Sequence, residues 1–192
     1  MLKLYLRVLG RTIRVESDNR ALLDAVEERY APYLISMRET DACANGDVSV
    51  LELAESDQGL RVGFGGRRIL LEGGQSWLKP DDIVIYVLRK LLPNLAFVHA
   101  SSIQEKGRAA LFVGSTHQGK TTLAYALARN GFAPMSDDLA PLDLGSGRVF
   151  SLYTSATVRP QTAALAAQHG WPLPHACASS GKNVAEFSAE LA

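Results

Sequence analysis

The sequence predicts an α/β fold preceded by a small β-rich α+β part, and three observations carry that reading. Gly114-Ser115-Thr116-His117-Gln118-Gly119-Lys120-Thr121-Thr122 fits GxxxxGK[ST] at every fixed position. It lies between an apolar run, Ala109–Val113, and a helix-prone run, Leu123–Arg129, which is the strand–loop–helix setting this pattern requires. Residues 1 to about 78 give several short strand signals and one helix, whereas strand and helix signals alternate from about residue 95. The expected organisation is therefore 1–78, a small β-rich part, and 79–192, a domain holding the loop.

Taken in order, Leu2, Leu4, Leu6 and Val8 alternate with Lys3, Tyr5 and Arg7, the period of a half-buried strand. Gly10 turns the chain and Thr12–Val15 returns it as a second strand. Ser17 and Asp18 are N-cap candidates for a helix carrying Leu22, Leu23 and Val26 and ending before Pro32. Thr40–Gly46 is polar loop and Val48–Leu53 a strand. Leu60–Phe64 and Arg67–Leu71 flank Gly65-Gly66, a hairpin signal. The Leu71–Leu78 segment, with Gly73-Gly74, is the expected boundary. Pro80, Asp81 and Asp82 open a helix with Ile83, Val84, Val87, Leu88, Leu91 and Leu92 inward, closed by Pro93. Past Asp138 the pattern is broken by Pro141, Gly145 and Gly147. Short strands are expected at Val149–Tyr153 and Ala156–Arg159, and an Ala-rich helix from Pro160 to Gln168. Residues 170–192 carry no assignable pattern.

Composition narrows the function classes. At 47% apolar and 21% charged residues, a packed core is within reach and wholesale disorder is not expected. Lys plus Arg equals Asp plus Glu at 20 each, with no long basic block, so charge gives no support to a nucleic-acid partner. Cys43 and Cys177 lack the spacing of a zinc site or a disulfide framework. No apolar run approaches the ~20 residues of a spanning helix, and the start lacks a signal-peptide core. A cytoplasmic location, with no membrane partner, is the expectation.

The loop sequence points to phosphate chemistry. Its glycines let backbone N–H groups turn inward around phosphate oxygens, and the following helix N-terminus adds a favourable partial charge. Lys120 is expected on the β/γ-phosphates and the Thr121 hydroxyl on Mg²⁺. Residues 97–103 alternate Phe97, His99 and Ser101 against Val98, Ala100 and Ser102. If this strand pairs with Ala109–Val113 about the turn Gln104–Gly107, His99 falls opposite Phe112 or Val113, beside Gly114. After the loop helix, Asn130-Gly131 reads as a C-cap, Phe132–Met135 as a strand, and Ser136-Asp137-Asp138 follows at its carboxyl end. One of the two carboxylates, Asp137 or Asp138, is expected to face the metal and the other to accept a hydroxyl proton. Neighbours on a strand point to opposite faces, so both serve one site only if the backbone turns there.

These residues carry a family resemblance. The segments Val98-His-Ala-Ser-Ser-Ile103 and 110–143 (ALFVGSTHQGKTTLAYALARNGFAPMSDDLAPLD) resemble the catalytic domain of bacterial HPr kinase/phosphorylase. They look still more like the short HPr-kinase-related proteins found beside peptide-modification operons. The match covers about residues 95–142; the N-terminal part is only loosely similar. The resemblance implies a P-loop kinase core with a mixed sheet, similar to phosphoenolpyruvate carboxykinase. It implies that Lys120 binds phosphate, Thr121 holds Mg²⁺, Asp138 is the general base and His99 supports it. It also implies phosphoryl transfer from ATP to a serine hydroxyl in a protein or peptide, in a family that commonly forms homo-oligomers.

The chain departs from that family in three places. The family's downstream metal-binding Glu has no carboxylate here, the nearest segment being Thr157-Val158-Arg159-Pro160. Arg159 is instead a candidate for charge on the transferred group. His117 and Gln118 replace small loop residues, and the C-terminal docking element is not recognisable. The expected function is an ATP- and Mg²⁺-dependent protein or peptide serine kinase. Two alternatives remain: a nucleotide-binding regulatory or scaffold module without transfer activity, and a phosphatase or NTP hydrolase.

Overall fold

The structure is a computed structural model in which residues 1–36, 48–72, 80–152, 160–170 and 188–191 are described. Its contacts divide the chain into two compact units, Met1–Pro93 and Asn94–Ala192. The expected loop Thr40–Gly46, the expected strand Ala156–Arg159, both cysteines and most of 170–192 lie outside the described residues.

In the first unit, alternation makes β1 (Leu2–Val8) and β2 (Arg11–Ser17) an antiparallel hairpin, and Leu9-Gly10 turns at φ 50° and 72°. The helix α1 (Arg20–Arg29) follows, capped by Asn19 rather than by Ser17 or Asp18. The Asn19 side chain accepts from the Ala21 N–H at 2.9 Å, while Ser17 is still in the strand. Asn is as good a cap as Ser or Asp, so the helix simply starts later. A short 3₁₀ turn, Ala31–Tyr33, uses Pro32 near its start. β3 (Val48–Ser56) then pairs with β2 in parallel, and β4 (Gly59–Phe64) and β5 (Arg67–Glu72) complete a sheet in chain order. The hairpin about Gly65-Gly66 is as the sequence predicts.

The helix α2 (Pro80–Leu91) belongs by its contacts to this unit, packing against α1, whereas the boundary read from sequence put it with the second part. The core here is Leu6, Val8, Ile13, Val15, Leu23, Val26, Leu51 and Leu53, with Ile83, Val84, Val87 and Leu88 buried on α2. Tyr30 and Tyr33 are buried as well.

The second unit is α/β with a mixed sheet. β6 (Leu95–Glu105) is its longest strand. On one side it pairs with β7 (Arg108–Val113); on the other with β8 (Ala133–Ser136) and β9 (Leu139–Asp143). β10 (Arg148–Phe150) joins β9, and β11 (Ser188–Leu191) joins β10 on one side and, in parallel, β7 on the other. The pairings thus run in a closed circuit, β6–β7–β11–β10–β9 and back to β6. Ala100, Ala109, Met135, Ala140 and Val149 meet in one cluster with Val98, Leu111 and Leu142. These residues come from β6, β7, β8, β9 and β10, so the cluster ties the strands of this sheet together. The helix α3 (Lys120–Arg129) contributes nothing to that cluster and packs against β6, β7 and β8. α4 (Pro160–Gln168) lies where the Ala-rich pattern predicts.

β9 and β11 were not legible as strands. β9 contains Pro141, opposite Phe97, and owes its conformation to the β6 ladder.

Candidate functional site

β6 and β7 are joined by a two-residue turn. Lys106 at φ 50° and Gly107 at φ 81° have the positive angles of a type I′ hairpin, and Glu105 pairs with Arg108. The turn is two residues shorter than the expected Gln104–Gly107. The register therefore moves: Ala100, the neighbour of His99, lies opposite Val113, the last residue of β7, and His99 has neither Phe112 nor Val113 as its partner. His99 thus lies one residue along β6 from the position opposite the end of β7.

The loop leaves β7 at Gly114 and enters α3 at Lys120. His117 and Gly119 have φ of 72° and 81°, and Gln118 between them does not share the left-handed conformation. Such alternation turns successive N–H groups toward one concavity, an anion nest. Gly119 is also the N-cap of α3 and no side chain caps the helix, so its first N–H groups keep their anion-binding capacity. Glycine at 119 answers the left-handed angle. A Cβ on Gly114 would come within 2.5 Å of the Gln118 Oε1.

Lys120 Nζ donates to the carbonyls of Gly114 at 2.9 Å and Ser115 at 3.0 Å, so the ammonium sits over the start of the loop. The loop thereby holds its curl through its own groups. α3 ends in a Schellman cap: the Gly131 N–H reaches the Ala128 carbonyl and the Phe132 N–H the Leu127 carbonyl, both at 3.3 Å. That cap returns the chain to the sheet as β8.

The acid pair lies across β6 from the loop strand. Ser136 is opposite Ser102 and Leu139 opposite His99, so the last residue of β8 is in register with β9 along β6, while a bulge between Ser102 and Ile103 shifts the earlier part of β8 by one residue. Asp137 and Asp138 form a bend between them, with the Ala100 N–H still donating to the Asp138 carbonyl at 3.1 Å. His99 Nδ1 lies 3.0 Å from Asp138 Oδ1. Ser101 Oγ donates to the Asp137 carbonyl at 2.8 Å and lies 3.3 Å from its Oδ1. His99 and Ser101 are two residues apart on one strand and share a face. Each touches one of the two acids, so the bend brings both carboxylates to that face. The condition set by the sequence, that the backbone turn there, is met.

The pair is accessible as well as fixed. The side chains of His99 and Asp138 are 54% and 51% exposed, open to an incoming group, while Ser101 beneath them is fully buried. The buried Ser102 and Ser136 hydroxyls lie 2.7 Å apart and join β6 to β8 just before the bend.

Ser101 was not singled out from the sequence. Its only signal was its spacing of two from His99. Arg159 lies outside the described residues, as does the Thr157–Pro160 segment apart from the backbone of Pro160.

Among the described residues no group of three or more His, Cys, Asp or Glu is gathered for a metal. Mg²⁺ keeps several waters and is held by one or two carboxylates together with substrate phosphates. A hydroxyl at Thr121 and a carboxylate at Asp137 suit such a phosphate-borne ion; they do not form a cage that would hold one alone. Nor is any described helix long and apolar enough to cross a membrane.

Compared with known proteins, the chain matches no family model, no curated protein and no solved structure at a significant level.

Proposed function

We propose that this chain is an ATP-dependent serine kinase, transferring a phosphoryl group to a hydroxyl of a protein or peptide on a P-loop kinase core. The observation that carries the proposal is the His99–Asp138 pair, 3.0 Å apart, with His99 next to Ala100, whose partner Val113 ends the strand that leads into the phosphate loop. A loop that only bound nucleotide would need no oriented carboxylate beside it.

The chain's own groups divide the work. The N–H groups of 114–122 and the Lys120 ammonium hold the triphosphate and offset its charge. Lys120 leaves the Gly114 and Ser115 carbonyls to do so. His99 donates from Nδ1 to one Asp138 oxygen, which leaves the other oriented toward the acceptor. That oxygen takes the proton of the serine hydroxyl as the new O–P bond forms and the bond to the β,γ-bridging oxygen breaks, releasing ADP. Asp137, held by Ser101, and the Thr121 hydroxyl would hold Mg²⁺, which supplies Lewis-acid stabilisation of charge on the phosphates when bound. Charge stabilisation and positioning, rather than covalent chemistry, carry phosphoryl transfer, which suits a site made of fixed dipoles and one base.

The test is Asp138→Asn. With labelled Mg-ATP and a panel of serine-centred peptides, label transfer is expected to fall about 10²- to 10⁴-fold, the usual worth of a general base. Mg-ATP affinity is expected to stay within about twofold, because Asp138 does not belong to the cradle. Transfer at the wild-type rate would remove the base and the reading with it.

A second reading, a nucleotide-binding regulatory or scaffold module, is favoured by the lack of a carboxylate at 157–160. It predicts Mg-ATP binding with no acceptor-dependent ADP release.

A further inference from the structure

We propose that the Gln118 side chain is the stopper of the phosphate loop: its amide oxygen stands where a phosphate oxygen would bind and must leave before a nucleotide can seat. The proposal rests on the nucleotide-binding part of the function given above and adds the residue that sets its affinity.

The Ser115 N–H, the second of the loop, donates to Gln118 Oε1 at 2.9 Å. An amide oxygen carries partial negative charge and accepts along the same directions as a phosphoryl oxygen, so it satisfies the donor in the manner an oxyanion does. The oxygen also lies so close to Gly114 that a Cβ there would meet it at 2.5 Å. It therefore lies against the start of the loop, at the surface. Lys120 Nζ is turned onto the two carbonyls of the same stretch, Gly114 and Ser115. Two of the loop's anion-binding donors, one N–H and the ammonium, thus have internal acceptors at one place.

Release needs little. Gln118 is exposed and sits between two left-handed residues, His117 and Gly119, so rotation of its side chain is enough and the backbone nest stays as it is. A phosphate oxygen gains the Ser115 N–H only by displacing the amide, and the hydrogen bond given up is worth about a two- to tenfold factor in affinity. The ligand class that competes is a di- or triphosphate, whose charge also draws Lys120 away; a neutral nucleoside has nothing to exchange for either contact.

The experiment titrates the wild-type full chain, Gln118→Ala, Gln118→Glu and Lys120→Ala with Mg-ATP, and with adenosine as the phosphate-free control. Gln118 is in solvent, so these substitutions at 118 leave the core intact. Gln118→Ala is expected to bind Mg-ATP about two- to tenfold more tightly than wild type. Gln118→Glu is expected to bind more weakly than wild type, since its carboxylate keeps the acceptor in place and repels phosphate. Equal affinities for wild type and Gln118→Ala, or a weaker Gln118→Ala, overturn the stopper but leave the nucleotide site standing, provided Lys120→Ala loses binding. Should none of the four proteins show saturable Mg-ATP binding, the stopper and the functional reading on which it rests both fall.

Discussion

Removing the Ser136 hydroxyl isolates the strut that holds the acid pair. Ser102 Oγ and Ser136 Oγ are 2.7 Å apart and both residues are buried. Their situations differ, because Ser136 Oγ also reaches the Ala100 carbonyl at 3.3 Å. Ser136→Ala therefore strands the Ser102 hydroxyl in the interior, a loss of about 1–3 kcal/mol. Ser102→Ala leaves Ser136 with its second acceptor and is expected to cost less, about 0.5–1.5 kcal/mol. In the double variant no hydroxyl is stranded, so its cost should fall below the sum of the single costs by about 1–2 kcal/mol of coupling. For a unit of roughly 100 residues, each 1 kcal/mol moves Tm by about 4–8 °C, so Ser136→Ala should be plain in a thermal scan. Hydrogen exchange of the β6 and β8 amides, read alongside urea unfolding of the full chain, separates this unit from Met1–Pro93. Equal costs for the two single variants, or strict additivity in the double, would refute the asymmetry argued from the 3.3 Å contact.

Two other expectations follow from local geometry. Lys106 takes φ 50° at the first position of the β6–β7 turn, and its contact with Glu105 at 3.6 Å is on the surface and worth little. Lys106→Asn should stabilise by about 0.5–1 kcal/mol, since Asn tolerates the left-handed region; a lower urea midpoint would count against it. Asp143 is held below the usual carboxylate range by the Gly145 N–H, then by the Ser146 hydroxyl. Ionised Asp143 therefore adds stability above about pH 4 that is lost as pH falls through its lowered value. The stability gap between wild type and Asp143→Asn should narrow on acidification from pH 5 to pH 2, and parallel urea-midpoint curves across that range would contradict it.

What was legible in the sequence depended on locality. The strand, loop and helix around 114–122 are fixed by residues within a turn or two of one another, and Leu2–Val8, Gly65-Gly66 and Pro80–Pro93 announced themselves in the same way. The His99–Asp138 pairing was expected from the family resemblance, and the hairpin assumed between β6 and β7 had the wrong register because Gln104 and Glu105 belong to β6 rather than to the turn. The N-cap slipped to Asn19 for a similar reason: Ser17 was still paired across β1. β9 and β11 show what sequence cannot supply. Neither has a pattern of its own, and each is a strand because a distant partner offers it a ladder. Ser101 belongs to the same class: one hydroxyl among many, whose contacts depend on which backbone group folds up against it.

The break that carries the two acids is neutral with respect to pairing. Three steps along β6, from Ser102 back to His99, match three steps from Ser136 to Leu139, so nothing is gained or lost in crossing it. The bend is tied to β6 mainly through main-chain oxygens, the Asp137 carbonyl accepting from Ser101 Oγ and the Asp138 carbonyl from the Ala100 N–H. Replacing both acid side chains is therefore expected to leave the ladders of β6 with β8 and β9 in place.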